Sequence, residues 1–405
     1  MQNLPLEGIR VVDFTVVWHG THLSQWLGVM GAEVIKIETQ RHPDVIRAMF
    51  PKGKERWGLN LSIEFAVLNY AKKSIALNMN EPKGMELARE IIKTSDVVTE
   101  NFGGSIMERW GLGYSDLKKL KPDIIMYSGS GFGRTGPYKD LVAFAVTIEG
   151  FCGLSSVAGY SDSGPAMMAS RAWNDLVAAQ HGVFAILAAL HHRSKTGEGQ
   201  YIDLSMSEAM DCFLAEAVMD YTMNGRVAER TGNRGDNMAP HGCYRCRGED
   251  KWVAIAVSND EEWKAFCDAI GNPDWIKKEE FRDELSRLRN QDEMDRLIEE
   301  WTKNYTDYEA MEILQKAGVM AGASLDMKEL MEDPHLNERD FFVDMDHPEM
   351  GKLRLVGLPW RLSDTPKGNY QHAPLLGEHN DYVFGELLGM SKEEIRRLEE
   401  DKVIY

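Results

Sequence analysis

The chain has 405 residues and a formal net charge of −18, because 64 aspartates and glutamates outnumber 46 lysines and arginines. This length is sufficient for two domains with substantial cores. An acidic surface repels nucleic-acid phosphates and anionic lipids, so neither nucleic acid nor a membrane is an expected partner. The sequence has no apolar run of membrane-spanning length and no secretion signal at its start, which predicts a cytoplasmic protein.

The five cysteines are an odd number scattered along a long chain, which argues against a disulfide framework. Cys243 and Cys246 form a C-x-x-C motif shortly after His241. A zinc site needs a second such pair and a redox motif opens a helix, whereas Tyr244 and Arg245 are typical of a strand. We therefore expect no metal site.

The first 38 residues have the pattern of a βαβ unit. Ile9–Phe14 is a short β-rich run, and Glu33–Glu38 alternates apolar and charged residues. Between them, Gly20–Met30 carries apolar residues at helical spacing. Ligands bind at the carboxyl ends of strands in such units, so Thr15–Thr21 is the first candidate site.

Strands and helices continue to alternate as far as Asn224, which predicts an α/β domain with a parallel sheet. The predicted strands are Ser74–Met79, Asp96–Thr99, Ile124–Tyr127 and Tyr201–Met206. The predicted helices are Gly84–Lys93, Ser115–Leu120, Asn174–His192 and Ser207–Asn224.

The composition changes at Gly225–Gly242, which is rich in glycine and arginine and is typical of a linker or binding loop. A predicted hairpin (Cys243–Arg247 with Trp252–Val257) and three acidic helices follow it. These helices begin near Asp260, Asp292 and Thr306. We therefore predict a large domain over 1–224, a small α+β domain over 225–335, and a return segment over 336–405 that completes the large domain.

Gly131–Gly136 fits the pattern G-x-G-x-x-G and follows a predicted strand. However, Pro137 comes next and no helix opens there, so the helix N-terminus that would bind a dinucleotide phosphate is missing. The motif indicates a glycine-rich loop above the sheet rather than a dinucleotide site.

Two carboxylates are candidates for chemistry. Asp175 lies at the start of the long apolar helix, where an aspartate ordinarily caps the helix. Glu149 follows the apolar run Val142–Ile148. The residue types alone do not choose between the two.

Several sequence blocks resemble class III CoA-transferases, the CaiB/BaiF family, and they lie near both ends and in the middle of the chain. They are Pro5–Thr15 continued to Gly31–Glu38, Arg134–Tyr138, Gly182–Leu190 followed by His192-Arg193 and Thr196–Gln200, and Leu375–His379. The resemblance implies a Rossmann-like parallel sheet in the large domain. It also implies two chains threaded as interlocked rings, in a homodimer or in a heteromer with a homologous subunit.

In this family the catalytic aspartate begins the helix that ends in the I-L-A-A-L run. Counting back from Ile186–Leu190 reaches Asp175 without a gap. The resemblance implies that Asp175 attacks an acyl-CoA thioester and forms an anhydride and then an aspartyl-CoA thioester. A CoA thioester is then a co-substrate, and neither a metal nor a permanently bound cofactor is implied.

The resemblance also assigns residues to CoA and to a mobile active-site loop. By position, the CoA-binding residues are Trp18, His19, Thr39, Leu77, Asn80, Asn101, Phe102 and Arg109, with Lys72 and Lys73 beside them as phosphate ligands or an exposed charge pair. The loop contains Gly232 and Gly235. It lacks the continuous glycine run of formyl-CoA–oxalate transferases, which disfavours oxalate as substrate.

Two other functions share this fold. An α-methylacyl-CoA racemase typically carries a proton-shuttling histidine after the glycine-rich strand, and Leu141–Ala145 contains none. A non-catalytic subunit of a heteromeric transferase would lack Asp175. CoA transfer between organic acids is therefore the favoured function.

Within the family, the chain resembles the active subunit of succinyl-CoA:benzylsuccinate CoA-transferases. Trp18, Phe144 and Trp173 fall on segments expected to converge near the nucleophile, which predicts a bulky, aromatic acceptor acid. Arg171 or Arg234 is a candidate partner for the second carboxylate of a succinyl donor.

Overall fold

The structure is a computed structural model that describes residues 3–49, 58–165 and 173–405. Contacts divide the described residues into two compact units. The larger contains residues 3–49, 58–155, 173–226 and 340–405, and the smaller contains residues 156–165 and 227–339. The predicted domain limits 1–224, 225–335 and 336–405 are retained as our proposed assignment.

A six-stranded sheet forms the centre of the larger unit, with the strand order β3-β2-β1-β4-β5-β6. Every pairing in it is parallel, which confirms the predicted α/β class. The strands are β1 Arg10–Asp13, β2 Glu33–Glu38, β3 Lys73–Ala76, β4 Val97–Glu100, β5 Ile125–Ser130 and β6 Tyr201–Ser205.

Helices cover both faces of this sheet. Adjacent residues of a strand point to opposite faces, so neighbouring residues contact different helices. Val11 packs with the first helix and the long eighth helix, whereas Val12 packs with the third helix and the C-terminal segment. The helices of the larger unit are α1 His19–Val29, α2 Ile63–Asn69, α3 Pro82–Lys93, α4 Ile106–Arg109, α5 Tyr114–Leu120, α6 Ala145–Phe151, α8 Trp173–Thr196, α9 Met206–Asp211 and α10 Ala215–Asn224, and the division between the two units falls within α7 Leu154–Val157.

The C-terminal residues return to the sheet beside β3. Asn380 Oδ1 accepts the Ala76 N–H at 3.0 Å, and Leu77 pairs with Ile404 in an isolated bridge. This segment also carries a π-helix, Asp381–Leu387, whose Val383 and Phe384 enter the core. The chain end therefore completes the core of the larger unit.

The smaller unit is built on a three-stranded antiparallel sheet of order β7-β8-β9. The hairpin predicted from the sequence forms between β7 and β8, and β9 adds to its edge. The strands are β7 His241–Arg245, β8 Trp252–Ala256 and β9 Met320–Ala323, and the helices are α11 Asp260–Ala269, α12 Glu284–Arg289, α13 Gln291–Thr302, α14 Asp307–Lys316, α15 Met327–Glu332 and α16 Pro334–Glu338.

The remaining strands and the final α-helix belong to the larger unit. Strands β10 Phe342–His347 and β11 Gly351–Val356 form an antiparallel hairpin, as the alternation over Phe341–Val356 indicates. The final helix, α17 Lys392–Glu400, begins with a capping box between Ser391 and Glu394. Short 3₁₀ helices occur at Val45–Ala48, Cys212–Leu214, Asp274–Lys277 and Glu279–Phe281.

Helices α1 and α8 approach closely at Gly182. A Cβ atom at this position would lie 2.2 Å from Leu23 Cδ1 and 2.9 Å from Tyr127 Oη, so only glycine fits without movement. This contact fixes α8 against α1 and β5.

Gly182→Ala is expected to lower the free energy of unfolding by about 1–3 kcal/mol, as over-packing of a filled core does. The matched control is Gly385→Ala, where the added methyl group would meet only Ile395 Cδ1 at 3.6 Å. Thermal unfolding of both variants followed by circular dichroism checks this. A melting temperature for Gly182→Ala at or above that of the control would contradict the tight packing.

Candidate active site

The loops that follow the parallel strands meet at one edge of the sheet, because carboxyl ends of parallel strands share an edge. Most of the residues predicted to bind CoA lie in these loops. They are Trp18 and His19 after β1, Thr39 after β2, Leu77 and Asn80 after β3, and Asn101 and Phe102 after β4.

Asp175 lies at the same edge, in the first turn of α8. Its Oδ1 accepts the backbone N–H of His19, the first residue of α1, at 3.2 Å. The carboxyl group therefore lies at the N-termini of two helices, where the helix dipoles favour negative charge. Even so, burial raises its pKa to about 7, and the negative charge of Glu149 adds to the shift.

Glu149 is buried on α6 and close enough to Asp175 to influence its ionisation. The adjacent Asn174 fixes α6 against the start of α8, since its Nδ2 donates to Ala145 O at 3.1 Å. The two carboxylates that the sequence offered as alternatives therefore belong to one electrostatic site.

The imidazole of His19 is buried and points to Tyr127, with Nε2 2.7 Å from the tyrosine Oη. Burial lowers the pKa of His19 to about 4, so the ring is neutral at pH 7. Gly129 makes room for this ring, because a Cβ there would lie 2.2 Å from His19 Cε1. His19 contributes to the site through its backbone N–H, and its side chain is not exposed to a ligand.

Trp18 and Asn101 hold the loop after β1. The indole Nε1 of Trp18 donates to Glu64 Oε1. The Asn101 side chain makes two bonds with one residue, accepting the Val16 N–H and donating to the Val16 carbonyl, each at 2.8 Å. The amide predicted to contact CoA therefore orders the neighbouring loop.

The other predicted CoA residues differ in accessibility. Thr39 is half-buried, Asn80 is exposed, and the Leu77 side chain is fully buried in the core. Arg109 is exposed at the end of α4, with Nη1 3.5 Å from Ser105 Oγ. Of this group, Asn80 and Arg109 present exposed side chains.

Phe102 lies in a loop that Arg134 fixes. Arg134 Nη2 donates to the Phe102 carbonyl at 2.8 Å and to Glu100 Oε1 at 2.6 Å. The Phe102 ring packs edge-on against Trp110, with ring centroids 5.5 Å apart. Arg134, from the glycine-rich loop after β5, thus joins two loops of the sheet edge. This link was not predicted, because no local sequence pattern relates the two loops.

Lys72 was expected to be either a phosphate ligand or an exposed charge. Both expectations are wrong, because its side chain is buried and already paired. Its ammonium group is buried, 3.1 Å from Asp13 Oδ2 and 2.8 Å from the Thr21 carbonyl oxygen. Burial lowers its pKa to about 8. Lys73 is half-exposed and lies 3.8 Å from Glu33 and over the Tyr382 ring.

Gly232 and Gly235 belong to the smaller unit. Gly232 has a φ of +65° and donates its N–H to Gly159 O at 2.9 Å. Arg234 between them is paired with Asp292 and Asp295 at 2.6 and 2.8 Å, so its guanidinium is already engaged. The alternative succinyl-binding candidate, Arg171, lies outside the described residues.

The aromatic residues predicted to surround the acceptor include two that are exposed in the single chain, Phe144 at 62% and Trp173 at 44%.

Among residues 3–49, 58–165 and 173–405, we find no group of three His, Cys, Asp or Glu side chains arranged to hold a metal ion. No helix within those ranges has the length and apolar character of a membrane span.

Comparison with known proteins gives one consistent family. A model described as CoA-transferase family III matches residues 6–380. A succinyl-CoA--D-citramalate CoA-transferase of Chloroflexus aurantiacus is 32% identical over 400 residues, covering 99% of this chain and 98% of the relative. The beta and alpha subunits of a succinyl-CoA--L-malate CoA-transferase of the same species are each 32% identical, covering 99% and 100% of this chain and 98% and 93% of the relatives.

Similarity to a solved structure indicates the same family. The crystal structure of a CaiB/BaiF family protein from Brucella suis is 30% identical and superposes with a TM-score of 0.86, covering 95% of this chain and all of that one. The match of the family model, the identity with the transferases and this likeness extend over nearly the full chain. The chain belongs to CoA-transferase family III.

Proposed function

We propose that the protein moves CoA from an acyl-CoA donor to an organic acid, with Asp175 as the nucleophile. The observation that carries this proposal is the position of the Asp175 carboxyl group. It lies at the sheet edge that holds the predicted CoA residues, within hydrogen-bond distance of the His19 N–H. A pKa of about 7 leaves about half of the groups ionised at neutral pH, so a nucleophilic carboxylate is available.

The proposed reaction begins when an Asp175 oxygen attacks the thioester carbonyl. The C–S bond breaks, and CoA leaves as a thiolate while an aspartyl anhydride forms. The thiolate then attacks the Asp175 carbonyl carbon, which releases the donor acid and leaves an aspartyl-CoA thioester. The acceptor carboxylate attacks the carbonyl carbon of that thioester, which expels the CoA thiolate and forms a second anhydride between Asp175 and the acceptor. The thiolate then attacks the acyl carbon of the acceptor in this anhydride, which forms the new acyl-CoA and releases the Asp175 carboxylate. Each step exchanges one activated acyl group for another.

Both intermediates would be hydrolysed by water, so the site must exclude it. Each tetrahedral oxyanion also needs hydrogen-bond donors. We assign the His19 N–H to hold the Asp175 carboxyl group, and Gly232 and Gly235 remain our proposed active-site loop. Our proposed CoA-binding set is still Trp18, His19, Thr39, Leu77, Asn80, Asn101, Phe102 and Arg109, with backbone atoms acting where side chains are buried or engaged.

We propose succinyl-CoA as the donor, because the names of the citramalate and malate relatives specify it. For the acceptor we retain a bulky, aromatic acid, supported by the exposed rings of Phe144 and Trp173. The names of those relatives favour the alternative, a small aliphatic hydroxy acid. The two classes differ in polarity and size, and kinetics separates them.

We also propose that a second chain, identical or homologous, completes the enzyme. Three neighbouring parts of the larger unit expose many large apolar side chains, and a monomer rarely exposes so many in one region. They are Leu141, Val142, Phe144, Val146 and Phe151 on and before α6, Phe184 and Leu187 on α8, and Phe213, Val218, Met219, Tyr221 and Met223 on and before α10. The alpha and beta malate subunits among the relatives support a heteromer. A homodimer is the other arrangement that we propose.

Asp175→Asn is expected to abolish transfer and preserve the fold, because the amide is isosteric but cannot form the anhydride. Steady-state turnover of freshly purified protein, checked by mass for deamidation, measures this. Retention of more than about a hundredth of the wild-type turnover would contradict the nucleophile assignment.

Glu149→Gln, the matched control, is expected to reduce turnover by less than about tenfold at pH 8. Removing its negative charge favours the ionised form of Asp175, so the pKa of Asp175 should fall from about 7. Since burial persists, the value should stay above that of an exposed aspartate. The acid limb of the pH profile of kcat/KM should therefore move to lower pH. An unmoved limb, or one at higher pH, would contradict the coupling.

In deuterated water, the enzyme is expected to transfer CoA without exchanging the α-proton of its acyl-CoA substrate. No histidine occupies Leu141–Ala145, where a racemase would carry one of its two proton carriers. Mass spectrometry of the recovered acyl-CoA measures the incorporation. Rapid α-deuteration without exchange between acids and CoA would assign the chain to the racemases instead.

Aryl-substituted acids are expected to give a higher kcat/KM than small aliphatic acids when succinyl-CoA is the donor. Aromatic side chains around the acceptor would desolvate an aryl group and add contact area. A kinetic series of aryl acids, citramalate, malate and oxalate decides the question. A higher kcat/KM for any of the aliphatic acids would exclude the aromatic pocket and leave CoA transfer itself intact.

A further inference from the structure

The loop Thr15–Trp18, which joins β1 to α1, is held by a separate side chain at each of its residues. The four contacts are the Thr15 N–H to Asp13 Oδ1 at 3.0 Å, the Val16 N–H to Asn101 Oδ1 at 2.8 Å, the Val17 N–H to Asp44 Oδ1 at 3.0 Å, and the Trp18 indole to Glu64. This density of side-chain acceptors indicates a loop whose geometry is fixed in advance of ligand binding.

Val17 adopts a backbone conformation that its side chain disfavours. Its φ is +63°, in the left-handed region that β-branched residues rarely enter. Such a conformation persists only when surrounding contacts impose it, and it is found often at functional sites. The contact made by the Val17 N–H is its hydrogen bond to Asp44.

Asp44 is fixed in turn by Lys36. Asp44 Oδ2 lies 3.2 Å from Lys36 Nζ, and neither side chain is exposed. Lys36 Nζ also donates to the Thr15 carbonyl oxygen at 2.6 Å. The buried ion pair therefore contacts the loop at two points, the Thr15 carbonyl oxygen and the Val17 N–H, which lie on either side of Val16. Leaving either charge unpaired in the core would be costly, which favours the paired arrangement.

His19 follows Val17 by two residues, and its N–H is the group that contacts Asp175. We propose that Asp44, fixed by Lys36, is a positioning residue that holds the loop so that the His19 N–H meets the Asp175 carboxyl group. This inference rests on the proposed function of Asp175. Asp44 acts through the backbone and touches neither the substrate nor the reacting atoms in this account.

The test compares two double variants that both lack the ion pair and have the same net charge. Lys36→Met with Asp44→Asn keeps an oxygen that can accept the Val17 N–H. Lys36→Met with Asp44→Leu removes that acceptor while filling similar volume. Replacing a buried ion pair by neutral groups of similar size is often tolerated, so we expect both to fold, which circular dichroism checks.

The Asn variant is expected to retain kcat within about tenfold of wild type, and the Leu variant to lose about a hundredfold, as small misplacements of catalytic groups do. The KM for acyl-CoA should change less than kcat. The pKa of Asp175 should rise further in the Leu variant, since the His19 N–H stabilises the ionised form. The titratable groups that face Asp175 in the described residues are Glu149 on α6 and His19 on α1, with Tyr127 on β5 behind His19.

The pKa is read directly from carbon-13 spectra of aspartate labelled at the carboxyl carbon, with the Asp175 resonance assigned by its loss in Asp175→Asn. Equal kcat and equal pKa in the two double variants would overturn the positioning role. A raised pKa in the Leu variant, together with transfer that survives Asp175→Asn, would support the positioning role and overturn the nucleophile assignment. The two claims can therefore fail separately.

Val17→Pro provides a second route if the Leu variant does not fold. Proline has no N–H to donate and cannot adopt a positive φ, so it releases the loop from Asp44 and leaves the buried pair intact. The same fall in kcat and the same rise in the pKa of Asp175 are expected. An unchanged kcat and pKa in folded Val17→Pro protein would overturn the inference.

Discussion

The contact between the His19 N–H and Asp175 is the constraint around which the larger unit is arranged. It joins the N-terminus of α1 to the first turn of α8, and the same two helices also approach closely at Gly182. Burial of the carboxyl group raises its pKa to about 7. A carboxylate that is partly desolvated, yet hydrogen-bonded and still ionisable at neutral pH, is suited to attack a thioester. Burial of the Asp175 carboxyl group therefore raises its pKa, while the His19 N–H keeps it ionisable.

The charges around this contact show how an acidic chain builds such a site. Lys36, Lys72 and Arg134 lie near the sheet edge, but each is engaged by internal carboxylates. Their function is to fix loops rather than to present positive charge. Arg109, by contrast, is exposed beside the predicted CoA segment. Among the described residues, these three cations are held by internal carboxylates, whereas the side chain of Arg109 is exposed.

Local patterns predicted the sheet, and the family resemblance assigned Asp175 as the candidate nucleophile, but neither predicted the contacts around that carboxyl group. The βαβ unit was predictable because helical and strand periodicities differ, and Asp175 because family motifs fix its spacing from Ile186–Leu190. Strand β9 was missed, since Met320–Ala323 has little β propensity and forms only by pairing with β8. Glu33–Glu38 alternates as a half-exposed strand would, yet Lys36 is buried with Asp44 from an irregular segment. Such pairing depends on the tertiary fold and cannot be predicted from the local sequence pattern.

In the proposed mechanism the Asp175 carboxyl group is activated during turnover, first as an anhydride and then as a CoA thioester. Incubation with the acyl-CoA donor, quenching with hydroxylamine and peptide mapping by mass spectrometry test it most directly, because both proposed intermediates are acyl electrophiles at that carboxyl carbon. We expect a hydroxamate on Asp175 that forms only when the donor is present. It should be absent from Asp175→Asn protein. Donor-dependent hydroxamate on Glu149 or another residue, or none in protein that is turning over, would contradict it.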